Sequence, residues 1–440
     1  MKHINQYISI ILLVAGVHIV SPQEVLKKQM AVELALQNNF DIQIAENNAQ
    51  IAENNAGILN SGYLPSITGN AGAAYNKDNL ESTFRDGNTV ELNGAETTRY
   101  NASINLNYTL FDGLGRLYNY KTLKERSALS ELQVRETIEN TILQLFSVYY
   151  EVARITENVA NLKKTLAISK DRYTRAKYQN EYGQNTGLDL LNVQVDVNTD
   201  SINLINAEQA LRNAKRDLNL VLNRDLSTAF EVDTLVAFIP DLVMEDLYKQ
   251  AKINNVQLLQ TAQGLKINDY TIKSLKGNYL PSIGLTGSYG WNKNNNNSAS
   301  FVTQSTSNGL SVGASLTWNL FDGGRTITSV KNAKITYENQ ELLQQQTEMQ
   351  VERNIKNAWE TYKNTLYVLE VQKQNVLTNQ DNFDRTQERY KIGQVTSLEF
   401  RQAQLNLLNA INAQNQAKYT AKLAELQVLQ VSGQLLNIAF

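Results

Sequence analysis

The chain has 440 residues, 41 Lys and Arg against 43 Asp and Glu, and 42% hydrophobic residues. The balanced charge excludes the basic footprint of a nucleic-acid partner, and the hydrophobic content excludes wholesale disorder. There is no cysteine, and His3 and His18 are the only histidines. Disulfides, thiolate chemistry and a lipidated N-terminal cysteine are therefore excluded, and imidazole catalysis and transition-metal binding lose their usual groups. No catalytic residue, cofactor or metal site is expected, and the chain does not read as an enzyme.

Residues 1–22 read as a signal peptide. Lys2 and His3 precede the apolar run Ile8–Val20, which has the length of a secretory h-region and is short for a membrane helix. No later apolar run approaches the ~18 residues of a transmembrane helix. A first helical segment follows, containing "ALQNNFDI" (Ala35–Ile42) and the heptad fragment "IAENNAQ" (Ile44–Gln50), repeated at once as "IAENNAG" (Ile51–Gly57). Pro65 then ends the helix and launches a strand, expected over about 66–76. A polar loop is expected over about Asn76–Thr97.

The next strand, about 98–111, alternates strictly. Tyr100, Ala102, Ile104, Leu106, Tyr108 and Leu110 are interleaved with Asn101, Ser103, Asn105, Asn107 and Thr109. Such a strand has one apolar and one polar face. Asp112 of "LFDG" (Leu110–Gly113) ends it and can cap the helix that follows, the glycine allowing a sharp turn. Lys121–Tyr178 contains no Gly or Pro and would span roughly 85 Å as one helix. That length implies coiled-coil packing. The tract is interrupted once, by "YGQNTGLDLL" (Tyr182–Leu191), a helical-hairpin tip placed at about 178–189.

The chain then starts again. "YLPSI" at Tyr63–Ile67 recurs at Tyr279–Ile283, 216 residues on, while "LFDG" recurs at Leu320–Gly323 and "GQNTGLD" (Gly183–Asp189) returns as "GQVTSLE" (Gly393–Glu399), both 210 residues on. Ala35, Asn38 and Asn39 likewise match Ala251, Asn254 and Asn255. Blocks repeated in one order over a period this long mean two copies of one unit, residues 23–230 and 231–440. In the second copy, strands are expected at about 282–292 and 309–321, joined by the loop "NKNNNNSAS" (Asn292–Ser300). The long helix Thr326–Lys391, roughly 100 Å, leads to a tip at about 390–400.

Four strands of 10–12 residues with one apolar face match a membrane's thickness at roughly 9–11 residues per tilted crossing. Tyr75, Tyr100, Tyr289, Trp291 and Trp318 suit interfacial belts. Four strands do not close a barrel, and open edges are not tolerated in lipid, so several chains must contribute to one barrel.

With "LPSI" and "LFDG" in both halves, "ALQNNFDI" and "RYKIGQVTSLEF" (Arg389–Phe400), the chain resembles the TolC family of outer-membrane efflux proteins over essentially its whole mature length. The resemblance implies a mainly helical fold with four transmembrane strands per chain, a homotrimer closing a twelve-stranded barrel, and a helical tunnel in the periplasm. It also implies a passive exit duct for efflux or type I secretion, with a periplasmic adaptor and an inner-membrane pump as partners and outer-membrane lipid around the strands. The alternative is an outer-membrane-anchored coiled-coil spacer or adhesin that conducts nothing.

Locally, Gly183 and Gly393 turn the hairpins. Thr186 and Thr396 cap the returning helices, with Asp189 and Glu399 completing capping boxes. The resemblance implies more. Gly183, Gln184, Thr186, Gly187 and Leu188, with Gly393, Gln394, Thr396, Ser397 and Leu398, would be periplasmic tips that meet the adaptor. Asp189 and Glu399 would form a constriction ring of six carboxylates favouring cations. The second acid often found one turn later is Gln402 here, and Asn192 in the first half.

Overall fold

A computed structural model describes residues 25–240 and 242–438. The leader therefore lies outside the described residues. The first half opens with the two-residue strand β1 (Val25–Leu26) and helices α1 (Lys28–Asn38) and α2 (Phe40–Asn55). The single helix expected here is broken at Asn39. Its extended backbone lets its side chain accept from Asp41 N and Ile42 N, capping α2, while its Nδ2 donates to Val221 O. Asn255 does the same between α5 (Met244–Asn254) and α6 (Val256–Lys276), donating to Val431 O. Helices α2 and α6 end at Asn55 and Lys276, before Pro65 and Pro281, and a single 3₁₀ turn fills each gap.

Strands β2 (Ser66–Thr83) and β3 (Thr89–Asp112) overrun the expected bounds. Residues assigned to a polar loop, 76–97, continue the hairpin, because Lys77 pairs with Glu96 and Leu80 with Leu92 across the strands. β5 (Ser282–Asn295) and β6 (Gln304–Thr317) form the second hairpin. β6 starts earlier than expected and stops at Thr317, so Trp318 and Leu320 lie beyond the strand. The four strands form one antiparallel sheet in the order β2-β3-β5-β6.

Each hairpin feeds a 67-residue helix, α3 (Gly115–Glu181) or α7 (Arg325–Lys391), and each of these turns into a 35-residue helix, α4 (Gly187–Val221) or α8 (Ser397–Val431). At the expected 1.5 Å per residue, the long helices reach about 100 Å. Asp112 Oδ2 accepts from Arg116 N, and Asp322 Oδ2 from Thr326 N, so both aspartates cap as expected.

The main core lies midway along the helices. It gathers Phe146, Tyr149 and Tyr150 of α3, Leu218 of α4 and Tyr419 and Leu426 of α8. A feature absent from the sequence reading closes it: β1 pairs in parallel with β4 (Glu231–Val232). Tyr149 pins both segments, donating to Leu26 O (2.7 Å) and accepting from Asp233 N (3.0 Å). Burial pushes its phenol up to about 12, so it keeps its proton at any ordinary pH.

Candidate channel elements

The sheet has two chemically distinct faces. On one, cross-strand register aligns Gly69, Ile104, Tyr289 and Leu310 in a row, and Ile67, Leu106, Gly287 and Val312 in another. Ile67, Ile104, Leu310 and Val312 are exposed by 61–76% within the chain. On the other face the rows read Asn70, Ser103, Gly290, Gly309 and Thr68, Asn105, Ser288, Ser311. Apolar side chains that exposed require lipid, whereas the hydroxyl and amide face suits water. No helix among the described residues is long and apolar enough to cross a membrane.

Both sheet edges are open within one chain. β3 pairs with β2 and β5, but its counterpart β6 pairs with β5 alone. The helices show the same deficit. α3 packs on both α2 and α6, whereas α7 packs on α6 alone of that pair; α8 packs along both α7 and α3, whereas the extensive packing of α4 is on α3. The unpartnered helices carry apolar stripes at coiled-coil spacing. Leu188, Leu191, Val195, Ile202 and Ile205 of α4 are each at least 57% exposed. Phe40, Ile44 and Ile51 of α2 and Leu342, Met349 and Tyr367 of α7 are exposed as well.

At the hairpin tips, Gly183 (φ 70°) and Gly393 (φ 77°) adopt the left-handed conformation. The turns close with Gln184 N donating to Gln179 O and Gln394 N to Arg389 O. Thr396 and Glu399 form a complete capping box: Glu399 N donates to Thr396 Oγ1 (3.2 Å) and Thr396 N to Glu399 Oε2 (2.7 Å). The amide and then the hydroxyl of Thr396 hold the Glu399 carboxyl below its usual range. The first tip differs from expectation. Thr186 caps the Asp189 amide, but its own N–H is taken by Asn185 Oδ1, because the shorter aspartate reaches only the Thr186 hydroxyl. Tyr182 and Leu188, and Ile392 and Leu398 at the matching positions, are 68–79% exposed. Within one chain the structure does not bring Asp189 and Glu399 together.

What it does bring together, one to three turns above the tips, is a charged cluster the sequence reading missed. Arg401 of α8 makes a two-point ion pair with Asp200 of α4 (2.7 and 2.8 Å), and both are buried. Ser169 of α3 donates to the same carboxylate (2.6 Å). Arg172 of α3 pairs with Asp196 of α4 and reaches Ser397 O of α8. Burial lowers the pKa of Arg172 and the Asp196 charge opposes the shift. Nearby, Phe400 lies against Phe383 and Tyr390, and Arg175 donates to Lys391 O. These contacts tie the first helical hairpin to the second.

A sheet with one lipid-compatible and one wet face, continued by long helices with unpartnered seams, defines an outer-membrane channel subunit. The model of the outer membrane efflux protein family matches residues 31–224 and 247–434, and the chain belongs to that family. It is 22% identical over 405 residues to the outer membrane efflux protein BepC of Brucella suis, covering 92% of this chain and 85% of that one. It is 22% identical over 381 residues to the outer membrane protein TolC of Vibrio cholerae, covering 85% and 83%. Among solved structures, the Campylobacter jejuni CmeC outer membrane channel superposes with a TM-score of 0.78 at 20% identity, covering 93% and 86%. CusC does so with 0.74 at 15%, covering 94% and 96%. Membership favours the channel over the anchored-spacer alternative, and the family is one of channels rather than enzymes. No cluster of metal-ligating side chains occurs among the described residues.

Proposed function

We propose that three copies of this chain form an exit duct of a tripartite efflux or type I secretion system, with residues 23–230 and 231–440 as duplicated units that alternate around the ring. One observation carries the reading: each contact missing from a single chain is one that the next copy can supply. β6 lacks a first-half strand, α7 lacks an α2-like neighbour, and α4 lacks an α7-like one. Even the turns follow this rule. Gly113 packs against Gly277 of the other half, while a Cβ added at its counterpart Gly323 would meet nothing within 4 Å. A head-to-tail ring of this kind satisfies every edge at once. Two copies would give eight strands, a number whose interior side chains fill; three copies give twelve and leave a lumen.

In this reading the hydroxyl and amide face lines the barrel and the helices continue it as a tunnel in the periplasm. The tips, Gly183–Leu188 and Gly393–Leu398, offer Leu188, Leu398 and Ile392 to a periplasmic adaptor, and an inner-membrane pump supplies the energy. Asp189 and Glu399, near the tips of both hairpins, would form a cation-favouring ring of six carboxylates. Parting the tips requires the hairpins to separate where Arg401, Asp200 and Arg172 tie them. Native mass spectrometry of the detergent-extracted protein should show a trimer, and planar bilayers should show discrete, long-lived currents. Disulfide cross-links between cysteines at Gln184 and Gln394, beside the left-handed glycines, should abolish export. A monomer without conductance would overturn the reading.

A further inference from the structure

The two ends of the sheet differ in charge. Around the strand hairpins, residues 76–99 and 292–308 carry four basic and five acidic side chains. Where the strands meet the helices, residues 50–60, 112–126, 266–276 and 322–334 carry ten basic and five acidic ones, although the whole chain is net −2. Three of those five acids already face a basic partner: Asp112 with Arg116, Asp269 with Lys273 and Asp322 with Arg325. The surplus is therefore carried by lysines without a carboxylate, among them Lys121, Lys124, Lys331 and Lys334. The two pairs occupy matching places after the two LFDG turns, as "KTLK" and "KNAK".

Aromatic rings fix part of this belt. Tyr118 of α3 and Tyr270 of α6 stack at 6.2 Å and 26°. Lys121 Nζ sits over both rings (5.6 and 5.5 Å) and Lys273 Nζ over Tyr270 (5.4 Å). Lys124 lies over Tyr120 (5.3 Å). Between this belt and the lipid-compatible sheet lie Trp318, Leu320 and Phe321, 55–85% exposed. The order along the molecule is apolar sheet, exposed Trp and Phe, then tyrosine with lysine. With a rise of 1.5 Å per residue, Lys121 and Lys124 stand about 9–14 Å beyond the start of α3, past the roughly 5–8 Å of a headgroup layer but close enough for a long lysine side chain to reach back to it.

We infer that this junction is a binding belt for the phosphate headgroups of anionic phospholipid in the leaflet next to the helices. The inference rests on the barrel reading above. Paired lysines supply the charge, and the tyrosines supply rings and hydroxyls suited to the interface. The hairpin rim has no such surplus, so the belt also sets which way the protein sits.

The test is native mass spectrometry of the purified full-length protein in mixed micelles holding equimolar phosphatidylglycerol and phosphatidylcholine. Phosphatidylglycerol is expected to be retained preferentially. The preference should fall roughly fivefold per lysine removed in Lys121→Gln/Lys124→Gln and in Lys331→Gln/Lys334→Gln. It should persist in Lys121→Arg/Lys124→Arg and in the rim control Arg85→Gln/Lys293→Gln. Equal retention of the two lipids, unchanged preference in both Gln variants, or displacement of the lipid by inorganic phosphate at the same concentration would overturn the inference. Membrane fractionation and oligomer size, read on the same samples, separate the two levels. A membrane-embedded ring without lipid preference overturns only the belt, whereas a protein absent from the membrane overturns the barrel reading with it.

Discussion

Helix α4 has an inner and an outer side that follow opposite rules. The inner side holds buried Val193, Asp200, Ala207, Ala214 and Leu218 along α3, with Asp200 and Leu218 also meeting α8. The outer side shows Leu188, Leu191, Val195, Ile202 and Ile205 to solvent within one chain. Charge is buried where apolar residues are expected, and apolar residues are exposed where charge is expected. The long helices make the same contrast: α3 buries nineteen of its residues and α7 nine, at identical length. In the proposed ring, the folding of one chain and the assembly of several use different faces of the same helices, and substitutions on the two faces should fail in different ways.

The largest effect is expected on the inner side. Asp200→Ala leaves the Arg401 guanidinium buried without its two-point partner, at a cost of about 3–5 kcal/mol. Arg401→Ala should cost as much by stranding the carboxylate. The double variant Asp200→Leu/Arg401→Met removes both charges together and should recover much of the loss. Thermal denaturation of the detergent-solubilised protein measures all three. Equal stability of the single and double variants would remove the buried pair from the inner side's account.

On the outer side, Val195→Glu/Ile202→Glu should leave the fold of one chain intact and abolish the ring. Each position forfeits roughly 1.5–3 kcal/mol of interfacial burial, and the carboxylates add an unpaired charge. Circular dichroism should keep its helical signal while native mass moves from trimer to monomer. A ring that survives both glutamates would mean that the α4 stripe is not the seam.

These two sides differ equally in how legible they were in the sequence. The strands, the paired turns and the long helices followed from local rules: alternation, Pro65 and Pro281, Asp112 and Asp322, and helical tracts almost free of glycine. The extension of β2 and β3 through residues 76–97 was hidden because Lys77, Glu96 and their neighbours are as polar as a loop, and only pairing across the hairpin identifies them as strand. The Arg172–Asp196 and Arg401–Asp200 pairs were hidden for a different reason. They join residues 24 and 201 positions apart, and their meeting depends on how each helix is rotated about its axis. A faint signal exists in Asp196 and Asp200, which share one face of α4 at a spacing of four. Asn39 and Asn255 were visible as a repeated pair, but not as helix breakers.

A smaller effect compares the two LFDG turns. Gly113→Ala and Gly323→Ala each force a side chain into a left-handed conformation, for about 1–2 kcal/mol. Gly113 bears a further cost, since a Cβ there runs into the Gly277 carbonyl, whereas Gly323 faces open space within the chain. In a dissociated chain the first variant should therefore be the less stable. In the proposed ring, which sets the next copy against Gly323, the two should converge. A gap that persists in the ring would place nothing against Gly323.

The smallest effect separates the two tips and depends on pH. The Glu399 carboxyl is held below its ordinary value by the Thr396 amide and hydroxyl. A carboxylate depressed in the folded state contributes stability above its unfolded pKa, and that contribution is lost as the pH falls through the folded value. The second tip should therefore loosen on acidification below the normal carboxylate range, with the Thr396 and Glu399 amides gaining exchange relative to their intrinsic rates. Glu399→Gln should remove that acid dependence and leave the Thr396 cap of the Glu399 amide in place. The first tip lacks the reciprocal bond, since Asn185 occupies the Thr186 amide, so Asp189→Asn should alter exchange over 186–190 less than Glu399→Gln does over 396–400. The side chains are solvent-exposed, which keeps both effects local to the last turn. If the tips part symmetrically in acid despite this difference, the Thr396–Glu399 box does not hold the second tip, and the buried arginine pairs above must set the stability of both.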